Sequence, residues 1–152
     1  MLELAQAALQ HEEHRRLRCF DLAEGRHQAI HIAGSYSTVS EPTASALSKL
    51  VAQEKDRRFI SYDPNIRASV VPDLDQWRGK VAELGPSAAL IKASDEDLSQ
   101  LYPGQSLENV MSDWVSAGAS LAVITRGEKG AIALSSKGTS AGSMERSAVP
   151  SV

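Results

Sequence analysis

Apolar positions along this chain follow two alternating rhythms. Short, nearly continuous apolar runs begin at Ala29 (AIHIAGSY), Arg58 (RFISY), Ala88 (AALIKA) and Leu121 (LAVIT). Between them, apolar residues recur at steps of three and four, the spacing of one helix face. Leu47, Leu50 and Val51 share a face of a helix that Ser40 is expected to cap, with Pro42 in its first turn. Leu74, Trp77, Val81 and Leu84 form the stripe of a helix opened by Asp73 and ended by Gly85-Pro86. A short helix runs from Ser94 to about Leu101 and breaks at Pro103-Gly104. Ser106 then caps a helix whose stripe is Leu107, Val110, Met111, Trp114 and Val115, and Gly118 ends it.

The first four strand centres recur roughly every thirty residues, the length of a strand, a crossover helix and the return to a parallel strand. Continuous apolar strands suit a parallel sheet covered on both faces. The expected fold is therefore α/β, with a mostly parallel sheet and flanking helices. AIALSS, from Ala131, follows LAVIT too closely for a crossover and is expected to pair with it as an antiparallel hairpin. Ahead of the first strand, residues 1–28 read as an N-terminal helical segment, with Leu2, Ala5, Leu9 and Leu17 among good helix formers and Gly25 closing it. The small, polar residues after Lys137 read as loop or a weak edge strand.

Composition adds limits. With 152 residues, 42% hydrophobic and 23% charged, the chain can bury a core without metal or disulfide support. A net charge of −3 gives no general attraction to nucleic acid or to an anionic membrane, so neither is an expected partner. No apolar run approaches membrane-spanning length, and the N-terminus lacks a signal-peptide pattern; the cytoplasm is the expected location. The single cysteine, Cys19, rules out an intramolecular disulfide and reads as a packing residue. His11 and His14 could share a helix face for a metal, but no HExxH pattern surrounds them, and the adjacent Arg15-Arg16 pair makes a solvated face the better reading.

Candidate chemistry gathers at the carboxyl ends of the four strands, where open α/β sheets bind ligands. The first end carries Gly34-Ser35. The second carries Asp63-Pro64-Asn65-Ile66-Arg67, in which Arg67 has the forked geometry for phosphate or carboxylate; an Asx turn with a solvated arginine explains it as well. The third carries Ser94-Asp95-Glu96-Asp97. Ser-x-x-Asp before an apolar residue is a helix capping box, and three acids at a strand end could also hold Mg²⁺ through water. The fourth is Thr125-Arg126-Gly127-Glu128-Lys129-Gly130. Its glycines let the backbone approach an anion, Thr125 offers a hydroxyl, and Arg126 and Lys129 offer countercharge; a hairpin turn with solvated charges accounts for the same residues. Neither a P-loop nor a dinucleotide fingerprint is present.

ISYDPNIR, LIKASDEDLSQLYPG and AVITRGEKGAIAL, in this order, resemble the PfkB (ribokinase-like) carbohydrate kinases, with fructokinases and 2-keto-3-deoxygluconate kinases the nearest in motif. The resemblance covers about residues 29–150 and makes 29–152 the central part of such a domain. It implies a three-layer ribokinase-like, Rossmann-like fold and transfer of the ATP γ-phosphoryl to a sugar hydroxyl with Mg²⁺. Fructose or a keto sugar acid would be the partner substrate, and members of the family are often homodimers. By motif, Thr125, Arg126, Gly127, Glu128, Lys129 and Gly130 would cradle ATP phosphates, and Asn65 and Arg67 would lie by the phosphoryl-transfer cleft. Ser94 and Asp97 stand where the family has Asn-x-x-Glu, so Asp97 would reach the metal through water. Gly34, Ser35 and Asp63 would border the sugar. The family's catalytic Gly-Ala-Gly-Asp run does not occur in these 152 residues. The resemblance therefore implies an incomplete domain, with no catalytic residue of the family's kind. A parallel sheet missing its neighbours is expected to be aggregation-prone.

Overall fold

A computed structural model describes residues 29–33 and 35–136. The expected N-terminal helix, His11, His14, Cys19, Gly34 and the polar stretch after Lys137 lie outside the described residues. The elements in order are β1 (Ala29–Ala33), α1 (Ser35–Val39), α2 (Thr43–Glu54), β2 (Phe59–Asp63), α3 (Leu74–Leu84), β3 (Leu90–Ser94), α4 (Asp95–Leu101), α5 (Leu107–Ala117), β4 (Leu121–Thr125) and β5 (Ala131–Ser135). They build a five-stranded sheet in the order β1-β2-β3-β4-β5. The first four strands are parallel, and β5 returns antiparallel to β4 with Thr125 opposite Ala131. The mostly parallel α/β architecture and the terminal hairpin expected from the strand spacing are both present.

Each crossover steps in the same direction across the sheet. With right-handed connections, such a sequential order places every crossover helix on the same face. Burial along the strands agrees: Ile30, Ile32, Ile60, Tyr62, Ile91, Ala93, Ala122 and Ile124 are buried against the helices. Their alternate neighbours, among them His31, Ser61, Asp63, Leu90, Lys92 and Val123, are half-buried or exposed. Phe59, at the start of β2 on that second face, is 50% exposed. The described residues thus supply a sheet and one helix layer, and the second face is uncovered among them.

The helix stripes fall where the spacing placed them. Leu47 and Val51 of α2, Trp77, Val81 and Leu84 of α3, and Val110, Met111 and Trp114 of α5 all enter the core. Asp73 caps α3 by accepting a hydrogen bond from the Asp75 amide at 3.0 Å, and Ser106 caps α5 by accepting from Asn109 at 3.2 Å. Gly118 ends α5 at φ 137, where a Cβ would come within 2.7 Å of the Pro86 carbonyl oxygen.

Two local expectations need correction. The first strand does not run through Gly34-Ser35, its expected end: β1 ends at Ala33, and Ser35–Val39 is helical, with Ser40 N donating to the Tyr36 carbonyl at 3.0 Å. Burial of Thr38 between exposed or half-buried neighbours follows helical rather than alternating spacing. Nor does the Ser40 side chain cap α2. The N-cap position is Pro42, and Glu41 takes the capping role, its carboxylate accepting from Ser45 Oγ at 2.9 Å and Ser45 N at 3.4 Å. A carboxylate at a helix N-terminus also meets the positive end of the helix dipole.

Tyr62, near the end of β2, is fully buried. Its hydroxyl lies near Thr38 but has no hydrogen bond of good geometry. Burial, with smaller contributions from Tyr102 and Asp63, raises its phenol well above the usual range. The unfolded chain releases this proton near pH 10, whereas the folded chain keeps it. Stability carried by Tyr62 is therefore full below pH 10 and falls as pH rises beyond it, by at most about 1.4 kcal/mol per pH unit. Tyr62→Phe is expected to leave stability at pH 7 equal or slightly raised and to flatten the alkaline limb. Urea unfolding from pH 7 to 11 measures this, and an unchanged alkaline slope would refute it.

Candidate functional site

The parallel register aligns the ends of the strands in one row. Ala33 pairs with Asp63 between β1 and β2, and Ser94 pairs with Thr125 between β3 and β4. Lys92 and Asp63 close the row across β2 and β3, with Nζ to Oδ2 at 2.9 Å. The four polar strand ends singled out in the sequence therefore belong to one edge of the fold. Gly34 lies outside the described residues; Ser35 opens α1 beside that edge.

The turn after β2 is anchored from inside. Pro64 and Ile66 are buried, which leaves Asn65 half-buried and Arg67 exposed on the opposite side. Asp63 Oδ1 accepts from the Asn65 amide at 3.1 Å, forming the expected Asx turn. Asn65 sits at φ 44, a left-handed conformation that Asn tolerates better than most residues. Further along, Val70 N and Val71 N both donate to the Arg67 carbonyl, and the Val71 carbonyl accepts from Trp77 Nε1 at 2.9 Å. The fully buried Trp77 thus ties the segment that carries Asn65 and Arg67 to the core. The guanidinium of Arg67 donates to the Ile66 carbonyl at 3.0 Å and is otherwise directed to the surface.

At the end of β3 the capping box forms as the residue pattern predicts. Ser94 Oγ accepts from the Asp97 amide at 3.0 Å, and the Asp97 carboxylate accepts from the Ser94 amide at 3.4 Å. Asp97 is 8% exposed, whereas Glu96 faces solvent. The three neighbouring acids do not converge: among the described residues, no group of three or more His, Cys, Asp or Glu side chains could hold a metal by itself. That excludes an all-protein cage among the described residues; a cation here would have to bring its own water and ligand oxygens.

The loop between β4 and β5 is a tight turn. Residues Gly127–Lys129 form one turn of 3₁₀ helix, with Gly127 at φ 53 and Gly130 at φ 77. Arg126 N donates to the Gly130 carbonyl at 2.7 Å, Lys129 N to Arg126 and Gly130 N to Gly127. Those bonds commit three of the loop's amides internally, so an anion cradle here would be built from the Gly127 and Glu128 amides. Arg126 is half-buried, and the residues from Gly127 to Gly130 are exposed. Thr125 Oγ1 reaches the Ala93 carbonyl at 3.4 Å, which keeps its hydroxyl at the β3–β4 seam beside Ser94.

Lys92 is the residue of this edge that pattern reading passed over. The signal was present: a lysine inside the apolar run AALIKA, at a position that alternates away from the buried Ile91 and Ala93. Its partner is 29 positions away, and only the register of β2 against β3 brings the two together.

Comparison with known proteins gives the geometry a context. The family model of the pfkB family carbohydrate kinases matches residues 5–152. A fructokinase of Rhizobium leguminosarum bv. trifolii is 31% identical over 104 residues, covering 68% of this chain and 32% of the relative. Fructokinase-2 of Zea mays is 34% identical over 113 residues, covering 72% of this chain and 33% of the relative. The chain thus spans about a third of the length of these relatives. Among solved structures, the fructokinase of Vibrio cholerae O395 with fructose, ADP and calcium bound superposes with a TM-score of 0.65 at 26% identity. That match covers 76% of this chain and 38% of the other. The aminoimidazole riboside kinase of Salmonella enterica shares the fold, with a TM-score of 0.61 at 18% identity over 72% of this chain and 36% of the other. No helix among the described residues is long and apolar enough to cross a membrane.

Proposed function

Because the chain belongs to the pfkB family of carbohydrate kinases, we propose that its row of strand ends is the phosphate side of a sugar-kinase active site. The reaction is transfer of the ATP γ-phosphoryl to a sugar hydroxyl. The observation that carries this reading is the alignment of three motifs, DPNIR, SDED and TRGEKG, at one edge through the Asp63–Lys92 pair and the Ser94–Thr125 register. Fructose is the favoured acceptor, because fructokinase is the name carried by relatives at 31% and 34% identity.

Each residue has a role within this reading. Thr125 and the Gly127 and Glu128 amides hold phosphate oxygens, and Arg126 and Lys129 supply countercharge. Arg67 offers a forked contact to the transferring phosphoryl, and Asn65 lies beside it toward phosphate or sugar. Ser94 and Asp97 would meet the water shell around Mg²⁺, a role that rests on their match to the family's Asn-x-x-Glu positions. The cation, when bound with ATP, would neutralise charge on the phosphates. Gly34, Ser35 and the end of β2 at Asp63 border the sugar side.

The proton acceptor for the sugar hydroxyl is not among these roles. Both carboxylate oxygens of Asp63 are engaged, one by Lys92 and the other by the Asn65 amide. A base so occupied is poorly placed to take a proton. The 152 residues also contain no Gly-Ala-Gly-Asp run. We therefore read the chain as part of a kinase domain, able to hold nucleotide phosphate and unable to complete transfer alone.

Two measurements on the 152-residue chain test this. Calorimetric titration should detect saturable binding of Mg·ATP. A coupled ADP-release assay with fructose, and separately with 2-keto-3-deoxygluconate, should give no sugar-dependent turnover above background. Absence of nucleotide binding would remove the phosphate-site reading; sugar-dependent turnover lost in Arg67→Ala would overturn the incomplete-site reading.

A further inference from the structure

We propose that Lys92 is a positioning residue of this edge: through Asp63 it locks Asn65 in its left-handed conformation and so sets how Asn65 and Arg67 face the cleft. The inference rests on the kinase reading only for its consequence in binding. The lock itself is a matter of geometry.

Lys92 lies inside β3 on the sheet face that no helix covers among the described residues, one strand away from the turn it would control. Its Nζ donates to Asp63 Oδ2 at 2.9 Å, and Asp63 Oδ1 accepts from the Asn65 amide at 3.1 Å. The two oxygens of one carboxylate are thus held by a cation from the neighbouring strand and by the amide of the residue two positions ahead. Turning the carboxylate would break both contacts. The pair is partly shielded, with side-chain exposures of 37% for Lys92 and 17% for Asp63, so water screens it less than a surface pair. The backbone it steadies needs steadying: Asn65 is the residue other than glycine that the described backbone places at positive φ, at 44. Asn tolerates that region without preferring it.

Two other readings of Lys92 fit less well. As a direct ligand of phosphate it would have to surrender a short charge-assisted bond to Asp63. As a solvated strand lysine it would not sit at hydrogen-bond distance from a carboxylate whose other oxygen is already engaged. The lock accounts for all three groups.

The test compares Lys92→Met, Lys92→Arg and the unaltered 152-residue chain with two readouts. One is the intraresidue amide-to-Hα Overhauser effect of Asn65, which is strong for a left-handed residue. The other is calorimetric affinity for Mg·ATP. Lys92→Met is expected to weaken the Asn65 signal and lower Mg·ATP affinity about tenfold, equivalent to about 1.4 kcal/mol, while Lys92→Arg keeps both. Asp63→Asn preserves volume and an oxygen for the Asn65 amide but removes the charge facing Lys92, and it carries the same test should Lys92→Met not fold. An unchanged Asn65 signal in the methionine variant overturns the lock; a lost signal with unchanged affinity overturns its positioning role. If the unaltered chain binds no Mg·ATP, the kinase reading fails separately, and the Asn65 signal alone decides the lock.

Discussion

Trp77→Ala is expected to lower the unfolding free energy by about 3–5 kcal/mol, the usual cost of deleting a large buried aromatic side chain. Domains of this kind are stable by only about 5–15 kcal/mol, so the variant should be marginal or unfolded at room temperature. Trp77 is completely buried between α3 and the sheet, and its ring nitrogen holds the Val71 carbonyl at 2.9 Å. Loss of the ring therefore leaves a cavity and frees the segment that begins at the Asn65–Arg67 turn. Urea unfolding followed by far-ultraviolet circular dichroism measures the first effect, and amide exchange at Val70 and Val71 reports the second. A loss below about 1 kcal/mol would mean that the site collapses around the missing ring.

Features that depend on near neighbours in the chain were legible in the sequence. The Ser94–Asp97 capping box, the Asp73 and Ser106 caps and the stripe of Leu74, Trp77, Val81 and Leu84 all follow from spacing within one or two helical turns. Strand ends were legible too, because polar residues interrupt each apolar run. Features that depend on register or topology were not. Nothing local to LIKAS says that Lys92 meets Asp63, and nothing local to SYSTV distinguishes a strand end from one turn of helix. That the described helices all lie on one face follows from sequential strand order, which a list of strands does not contain. In the site the division is the same: the residue types were readable, while the commitment of both Asp63 oxygens and of three amides in the TRGEKG loop required the folded chain.

The TRGEKG loop can be tested in a way that separates its two readings, a simple hairpin turn and an anion cradle. Gly127 and Gly130 both have positive φ, so a side chain at either is strained. Gly130, at φ 77 and ψ −139, lies in a region occupied almost only by glycine, and its amide is already bonded within the loop. Gly127, at φ 53, likewise has a backbone conformation that side chains rarely adopt, although a Cβ there meets nothing within 4 Å. Gly127→Asn therefore adds volume beside the Gly127 and Glu128 amides at a backbone strain of about 1–3 kcal/mol, which stability records separately from binding. If phosphate approaches that backbone, the added side chain occupies its place, and Mg·ATP affinity should fall about a hundredfold, equivalent to about 2.8 kcal/mol. Calorimetric titration and urea unfolding of the same preparation give both numbers. Unaltered affinity in a folded Gly127→Asn chain would mean that nucleotide does not approach this backbone, and the loop would then be a hairpin turn alone.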